Sequence, residues 1–388
     1  MGLRGLMPAL AGKTYFNYGG QGPLPDPSLA AITKSWRTIQ QLGPFTGAVW
    51  PFIERTATEL RQRLGAWLGV GPQRLAFTEN VTSGCVLPLW GLPWQGGDEL
   101  LISDCEHPGV VAACRELARR EGLGLAVLPV QDLRGSQATT DAGVLERLEQ
   151  ALTPRTRLVV LSHLLWNTGQ VMPIAAAAER LQGHPNQPWL LVDGAQSLGS
   201  LPLADAGADI YACTGHKWCC GPEGLGAVAL SERLLADSQP TLIGWRSLSQ
   251  EGSAASGFHS DARRFEVATS CIPLMAGLNR SLQLLEAEGS ASERLARIQA
   301  GSRRLWDGLQ TIDAVHTLLE VPPPAGLVSF TIEPSAQAAT PEAVVQALGR
   351  QGIWLRRLDD PHCLRACTHI TTTEAEIDQL LEALQGLR

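Results

Sequence analysis

The chain has 388 residues, 44% apolar, 18% charged and 5% aromatic, and its 31 Lys+Arg against 38 Asp+Glu leave a net charge of −7. A mildly acidic chain with no basic run argues against sequence-independent nucleic-acid binding, which needs clustered Lys and Arg, and apolar content this high with so little net charge excludes disorder. At about 100–200 residues per domain, the length predicts two or three domains, or one large domain with an appendage.

In chain order, Thr14–Pro25 reads as a short strand broken by Gly and Pro. Helices are predicted over about 28–41 and 52–68. Strands and helices then alternate. The predicted strands are 74–77, 99–103, 125–130, 158–162, 189–192, 210–213 and 226–230. Helices fall from 82 onward and over 109–121, 143–151 and 174–182. Short apolar runs separated by helices imply strands buried on both faces of a mostly parallel sheet. After about Ser260 the pattern changes to helices at 273–287 and 292–309, a strand at 328–332, a helix at 341–351, a short strand near 353–355 and a last helix at 374–387. The expected organisation is a large α/β domain over 27–259 and a smaller α+β domain from 1–26 and 260–388, linked near the Gly- and Ser-rich 252–261.

No membrane span is expected, because the longest uncharged stretch, 158–178, carries His163, Asn167, Gly169, Gln170 and Pro173. Residues 1–13 offer no apolar run for a signal peptide, and Leu6 stands where a myristoylation signal wants Ser or Thr. Nine scattered cysteines fit reduced thiols and a cytoplasmic location.

In parallel sheets ligands bind at the carboxyl ends of strands, so the residues just after each strand carry the functional signal. Those residues include Thr82-Ser-Gly, His107-Pro, Asn167-Thr-Gly, Asp193-Gly-Ala-Gln and Thr214-Gly-His-Lys. A lysine at a strand end can form a Schiff base with an aldehyde. A carboxylate there can hold a proton on a pyridine nitrogen. Together Lys217 and Asp193 are what pyridoxal phosphate needs. Hydroxyls at a helix start, Thr82 and Ser83, suit a phosphate, although such residues more commonly cap the helix. His107 could stack on a ring or cap the helix after Pro108. Asn167 could donate to a phenolic oxygen or serve the turn before Gly169.

Taken together these residues resemble the class V aminotransferase family of fold-type I pyridoxal-phosphate enzymes, over about 15–369. Its members include cysteine desulfurases, isopenicillin-N epimerases and cysteine/cystine C–S lyases. The most specific pieces are Val192-Asp-Gly-Ala-Gln and Thr214-Gly-His-Lys, and Ser162-His-Leu-Leu-Trp-Asn-Thr-Gly-Gln, Gly244-Trp-Arg-Ser and Arg365-Ala-Cys-Thr-His look like the C–S lyase subgroup. The resemblance implies a mostly parallel seven-stranded sheet with a smaller α+β domain. It implies Lys217 as the cofactor lysine and Cα proton carrier, Asp193 at the pyridine nitrogen, and Gln196 and Asn167 at the ring hydroxyl. It further implies His107 on the ring face, and Thr82, Ser83, Thr214 and His216 at the phosphate. Thr269 would reach the phosphate of a neighbouring subunit in a homodimer, and Arg365 would bind the substrate α-carboxylate.

A desulfurase needs a thiolate on a mobile loop. No cysteine lies between Gly349 and Pro361, and strand geometry would tie Cys363 to Arg365. The expected reaction is therefore β-elimination from L-cystine or a related cysteine derivative, giving pyruvate, ammonia and a persulfide or sulfide. Arg356 would hold the distal carboxylate with Trp245 alongside. A desulfurase or epimerase of the same family is the alternative, with a sulfur acceptor protein as a partner in sulfur metabolism such as iron–sulfur cluster biogenesis. A non-catalytic sulfur-assembly protein is disfavoured by the intact Lys217, Asp193 and His107. No metal is expected from Cys213, His216, Cys219 and Cys220, whose spacing is wrong for zinc. Gly224-Leu-Gly226 is no dinucleotide fingerprint, because it leads into a strand.

Overall fold

The computed structural model describes residues 2–250, 252–335 and 340–387. Its elements in chain order are β1 (Thr14–Tyr15), α1 (Asp26–Leu42), α2 (Trp50–Leu68), β2 (Leu75–Thr78), α3 (Val81–Trp90), β3 (Glu99–Ser103), α4 (Pro108–Glu121), β4 (Gly124–Leu128), α5 (Gln137–Ala151), β5 (Thr156–Ser162), α6 (Ile174–Gly183), β6 (Trp189–Asp193), β7 (Ile210–Thr214), β8 (Gly226–Leu230) and α7 (Glu232–Asp237). Then follow α8 (Ile272–Glu286), α9 (Ala291–Leu309), β9 (Val315–Thr317), β10 (Leu327–Ile332), α10 (Pro341–Arg350), β11 (Ile353–Trp354), β12 (Arg356–Leu358), β13 (Cys363–Cys367) and α11 (Glu374–Gln385).

The central sheet has seven strands in the order β2-β8-β7-β6-β5-β3-β4. Strand β8 runs antiparallel to both neighbours, and the other adjacent pairs are parallel. The alternation of side chains in a strand explains why this sheet is buried on both faces. Leu101, Val159, Leu161, Leu190 and Val192 join one core. Their neighbours Leu100, Ile102, Leu158, Val160 and Leu191 join a second core on the other face. From β3 the chain moves outward to β4, and from β5 it moves the opposite way to β6 and β7. The two strands therefore part at their carboxyl ends, which opens the crevice where such folds place ligands.

A four-stranded antiparallel sheet, β12-β13-β10-β9, forms the second unit. Its own core holds Phe16, Leu305, Val328, Phe330, Leu364 and Leu380. Most predicted strands and helices recur with ends shifted by a residue or two, but α5 begins six residues before the predicted 143, behind its cap Ser136. Strands β9 and β12 and the short helix α7 were not predicted; β9 and β12 span only three residues each, and β12 begins with two arginines. Helix α8 lies against α1 and α2. There Ser28 and Ser281 share a hydrogen bond of 2.8 Å.

The N-terminal segment ties both units together. β1 pairs with β11. The Cys367 amide donates to the Phe16 carbonyl at 2.7 Å, and the Gly22 amide donates to the His216 carbonyl at 2.7 Å. A Cβ on Gly22 would stand 2.1 Å from the Lys217 carbonyl oxygen. No helix among the described residues is long and apolar enough to cross a membrane. Gly22→Ala must therefore push two backbones apart. It is expected to cost about 1–3 kcal/mol in urea unfolding of the cofactor-free protein, as other overpacked sites do.

Candidate active site

Four segments converge at the carboxyl edge of the central sheet. Asp193 ends β6, is buried, and accepts the Ala195 amide at 2.9 Å. Three residues beyond β7 stands Lys217. Burial brings its amine down to about 8 from an ordinary 10.5. Asp193 pulls the value upward, and Arg365 and Arg356 push it down. The lysine, the aspartate and both arginines thus share one electrostatic neighbourhood. His107 belongs to it as well. Burial lowers its pKa, the Lys217 charge lowers it further, and Asp193 opposes them.

Of the two roles foreseen for His107, the helix cap is the one seen here. It is the N-cap of α4, with Nδ1 accepting the Gly109 amide at 3.2 Å. Its ring also remains exposed and meets Trp166 edge-on at 5.6 Å. An accepting Nδ1 leaves the proton of the neutral ring on Nε2.

Helix α3 begins beside Thr214. A Cβ on Gly226, the β8 partner of Thr214, would lie 3.2 Å from the Asn80 backbone. Asn80 is the N-cap, accepting the Ser83 amide at 2.9 Å. Asn80 was not foreseen, although an Asn three residues before Ser83 is a legible capping signal. With Asn80 capping, Thr82 and Ser83 lie within the first turn, where amides point along the axis and favour an anion. Thr214 Oγ1 and His216 Nδ1 are 2.8 Å apart. Burial and then the Lys217 charge lower the His216 pKa, and Glu223 opposes them.

Asn167 is buried, donates to the Asp360 carbonyl at 3.2 Å, and leaves its Oδ1 without a partner. Gln196 is more committed than expected. It donates to the Gly19 carbonyl at 2.9 Å and accepts from Trp218 Nε1 at 2.8 Å. One amide hydrogen is left for a ring oxygen.

Arg365 is 1% exposed in β13. It donates to the Trp166 carbonyl at 2.6 Å and to Asn17 Oδ1 at 3.4 Å. Its Nε is buried without a partner, and no described carboxylate lies within ion-pairing distance. A buried guanidinium without an acid is costly, and a carboxylate ligand would relieve that cost. Arg356 stands directly across from it on β12 and is exposed. Asn17, Gly19 and Trp166 also contribute to this wall and were not foreseen, because they come from segments far apart in the chain.

Two predicted residues are not gathered with this cluster by any contact of the same chain. Trp245 packs edge-on against Trp50 at 6.4 Å, with the Arg246 guanidinium 4.6 Å from its ring centre. Thr269 is exposed beside a cleft of about 350 Å³ lined by Phe77, Thr78, Glu79 and Gly224.

Comparison with known proteins agrees with this geometry. The family described as Aminotransferase class-V matches residues 52–380. A solved complex of the cystine C–S lyase C-DES with its reaction product cysteine persulfide is 45% identical, with TM-score 0.92, covering 98% of this chain and 99% of that one. A lysine-to-alanine mutant of C-DES, with glycine covalently linked to its PLP cofactor, is 44% identical, with TM-score 0.93 and 98% of both chains covered. Isopenicillin N epimerase of Amycolatopsis lactamdurans is 30% identical over 96% of this chain and 95% of its own length. A probable cysteine desulfurase of Pseudomonas aeruginosa is 31% identical over 84% and 80%. This chain belongs to the class-V aminotransferase family. It is a pyridoxal-phosphate enzyme.

The residues present fit that cofactor. A lysine amine with no hydrogen-bonded partner among the described residues suits the aldehyde, and Asp193 suits the ring nitrogen. The α3 N-terminus with Thr214 and His216 suits the phosphate, and Asn167, its Oδ1 without a partner, follows β5.

The Lys217 shift makes a stability prediction for the cofactor-free protein. Between pH 8 and 10.5 the folded chain binds fewer protons at Lys217 than the unfolded chain does. The cost of burying the ammonium is full below that window and gone above it. Relative to Lys217→Met, the parent should gain about 3 kcal/mol across the window in denaturant titrations at stepped pH.

Proposed function

We propose that the enzyme catalyses β-elimination from L-cystine or a related cysteine derivative. The observation that carries this reading is the cross-strand pair Arg356 and Arg365. Like charges directly opposite in a sheet repel, and neither arginine has an acid partner among the described residues. Cystine carries two carboxylates, one for each guanidinium. Arg365 would take the α-carboxylate of the reacting half and Arg356 the distal one.

When bound, pyridoxal phosphate supplies an electron sink for the pair left at Cα. Lys217, with its amine pKa near 8, is suited to carry the Cα proton at neutral pH. Asp193 would keep a proton on the ring nitrogen, and His107 would cover the ring face. The Cβ–S bond breaks, and its electron pair leaves with the persulfide. L-cystine and water thus give pyruvate, ammonia and cysteine persulfide.

The thiols argue against desulfuration. Cys363 and Cys367 flank Arg365 within β13, paired to Leu358 and Leu327, and both are buried. A ladder residue lacks the freedom that sulfur transfer to a mobile thiolate requires. Burial also pushes the Cys363 thiol up to about 12, far from a thiolate at neutral pH.

The reading includes a homodimer. The Arg246 amide and the Ser247 hydroxyl donate to the carbonyls of Val267 and Glu266, so the segments bearing Trp245 and Thr269 form one unit. Around it Leu242, Ile243 and Trp50 are roughly half exposed. An apolar rim of this kind suits a second copy, whose site Thr269 and Trp245 would complete.

Purified enzyme given L-cystine should yield pyruvate, and Lys217→Ala should yield none. Alanine with sulfane sulfur as the products would establish desulfuration instead. Arg356→Ala should lower kcat/KM for cystine about tenfold or more while sparing substrates with one carboxylate. Equal losses would remove its assigned role. Mixing inactive Lys217→Ala with inactive Thr269→Glu should restore part of the activity if each subunit lends Thr269 to the other. Two additive defects would place Thr269 in its own subunit's site.

A further inference from the structure

The chemistry described so far leaves one buried carboxyl unused. Glu106 lies in the loop between β3 and α4, immediately before His107, and is 6% exposed. Its Oε1 accepts the Ser103 hydroxyl at 2.6 Å and the Ser162 amide at 2.7 Å. Its Oε2 accepts the Ser162 hydroxyl at 2.7 Å. Among the described residues no cation pairs with it. Burial pushes its pKa up to about 7, with nearby Asp193 adding to the rise. Holding such a group in the interior is unfavourable unless its bonds do something that an apolar residue could not.

Its position shows what they do. Ser103 is the last residue of β3 and Ser162 the last of β5. The ladder between these strands ends at Ile102–Val160, where they part to form the crevice. Beyond that point the Ser162 amide has no partner on β3, and the Glu106 carboxyl takes the place of the missing strand. On its other side Ser162 is still in register with Asp193 of β6. A continuous path thus runs from His107 through the Glu106 carboxyl and Ser162 to Asp193. One end of the path would cover the cofactor ring and the other would hold its nitrogen.

We infer that Glu106 is a positioning residue, a strut across the mouth of the crevice that fixes the spacing between His107 and Asp193 and so the seating of the cofactor ring. The strut acts through its hydrogen bonds rather than its charge. A glutamine can accept from Ser103 and the Ser162 amide with its oxygen, while its nitrogen donates to a rotated Ser162 hydroxyl. An alanine can do neither.

The inference rests on the cofactor site alone and not on the identity of the substrate. Three readouts test it: turnover, visible circular dichroism of the bound cofactor, and amide hydrogen exchange over 103–109 in the cofactor-free protein. Glu106→Ala should lower kcat about ten- to a hundredfold, as small misplacements do, with weakened cofactor dichroism and faster exchange. Glu106→Gln should recover most of all three. Ser162→Ala, which removes the hydroxyl bond to Oε2 and keeps the Ser162 amide bond to Oε1, should move them the same way by less. If Glu106→Ala does not fold, Glu106→Gln and Ser162→Ala still decide. The losses from Ser162→Ala and His107→Ala should be less than additive. Full additivity, unchanged dichroism and exchange in Ser162→Ala, or a Glu106→Gln variant that is folded but as impaired as a His107→Ala variant, would each overturn the inference. Dichroism and exchange report the seating whatever the substrate, so failure here is distinguishable from failure of the lyase reading.

Discussion

Everything in this site depends on holding an amine largely out of water, where its charge is poorly stabilised. Burial alone would drive Lys217 toward the neutral form, and the facing Asp193 moderates that push. The balance leaves the amine near 8, close enough to neutrality to exist in both protonation states at working pH. The protein accepts the desolvation cost because the strand ends are fixed by a sheet buried on both faces. Without cores above and below β6 and β7, neither side chain would keep its place.

The same logic governs the arginines. Arg365 is fully buried with carbonyl and amide partners but no acid. Arg356 adds a second cation directly across the strand pair. Two guanidinium groups facing each other without an acid partner among the described residues repel, and under the proposed function a dicarboxylate substrate would relieve that repulsion. The N-terminal segment completes this wall through Asn17 and Gly19. It also holds the Lys217 turn through the Gly22–His216 hydrogen bond. Sheet, cap and N-terminal segment thus act on one set of atoms.

Much of the large sheet could be read from the chain. Apolar runs such as Leu158–Ser162 and Trp189–Val192 are too short for helices and are bounded by helical stretches, and burial on both faces leaves them no polar alternation. The second sheet was harder. The strand Arg356–Leu358 begins with two charged residues on opposite faces, Arg356 across from Arg365 and Arg357 paired with Glu342 and Asp359. Thr82 and Ser83 were read as phosphate residues with a helix cap as the alternative, and it is Asn80 that caps α3. Trp245 resembles an active-site residue in its motif, yet within this chain it packs on Trp50.

The amino-acid order alone determined the alternation of strands and helices, the lysine and aspartate at two strand ends, and the arginine in the last strand. These are local properties of period, spacing and residue type. Tertiary structure decided which distant segments meet. It set Arg356 beside Arg365 through strand register, committed most of Gln196 to Gly19 and Trp218, and laid Glu106 across the gap between two parting strands. Register and strand order arise from packing between separate segments, with Gln196 and Gly19 as far as 177 residues apart, and no local pattern encodes that packing.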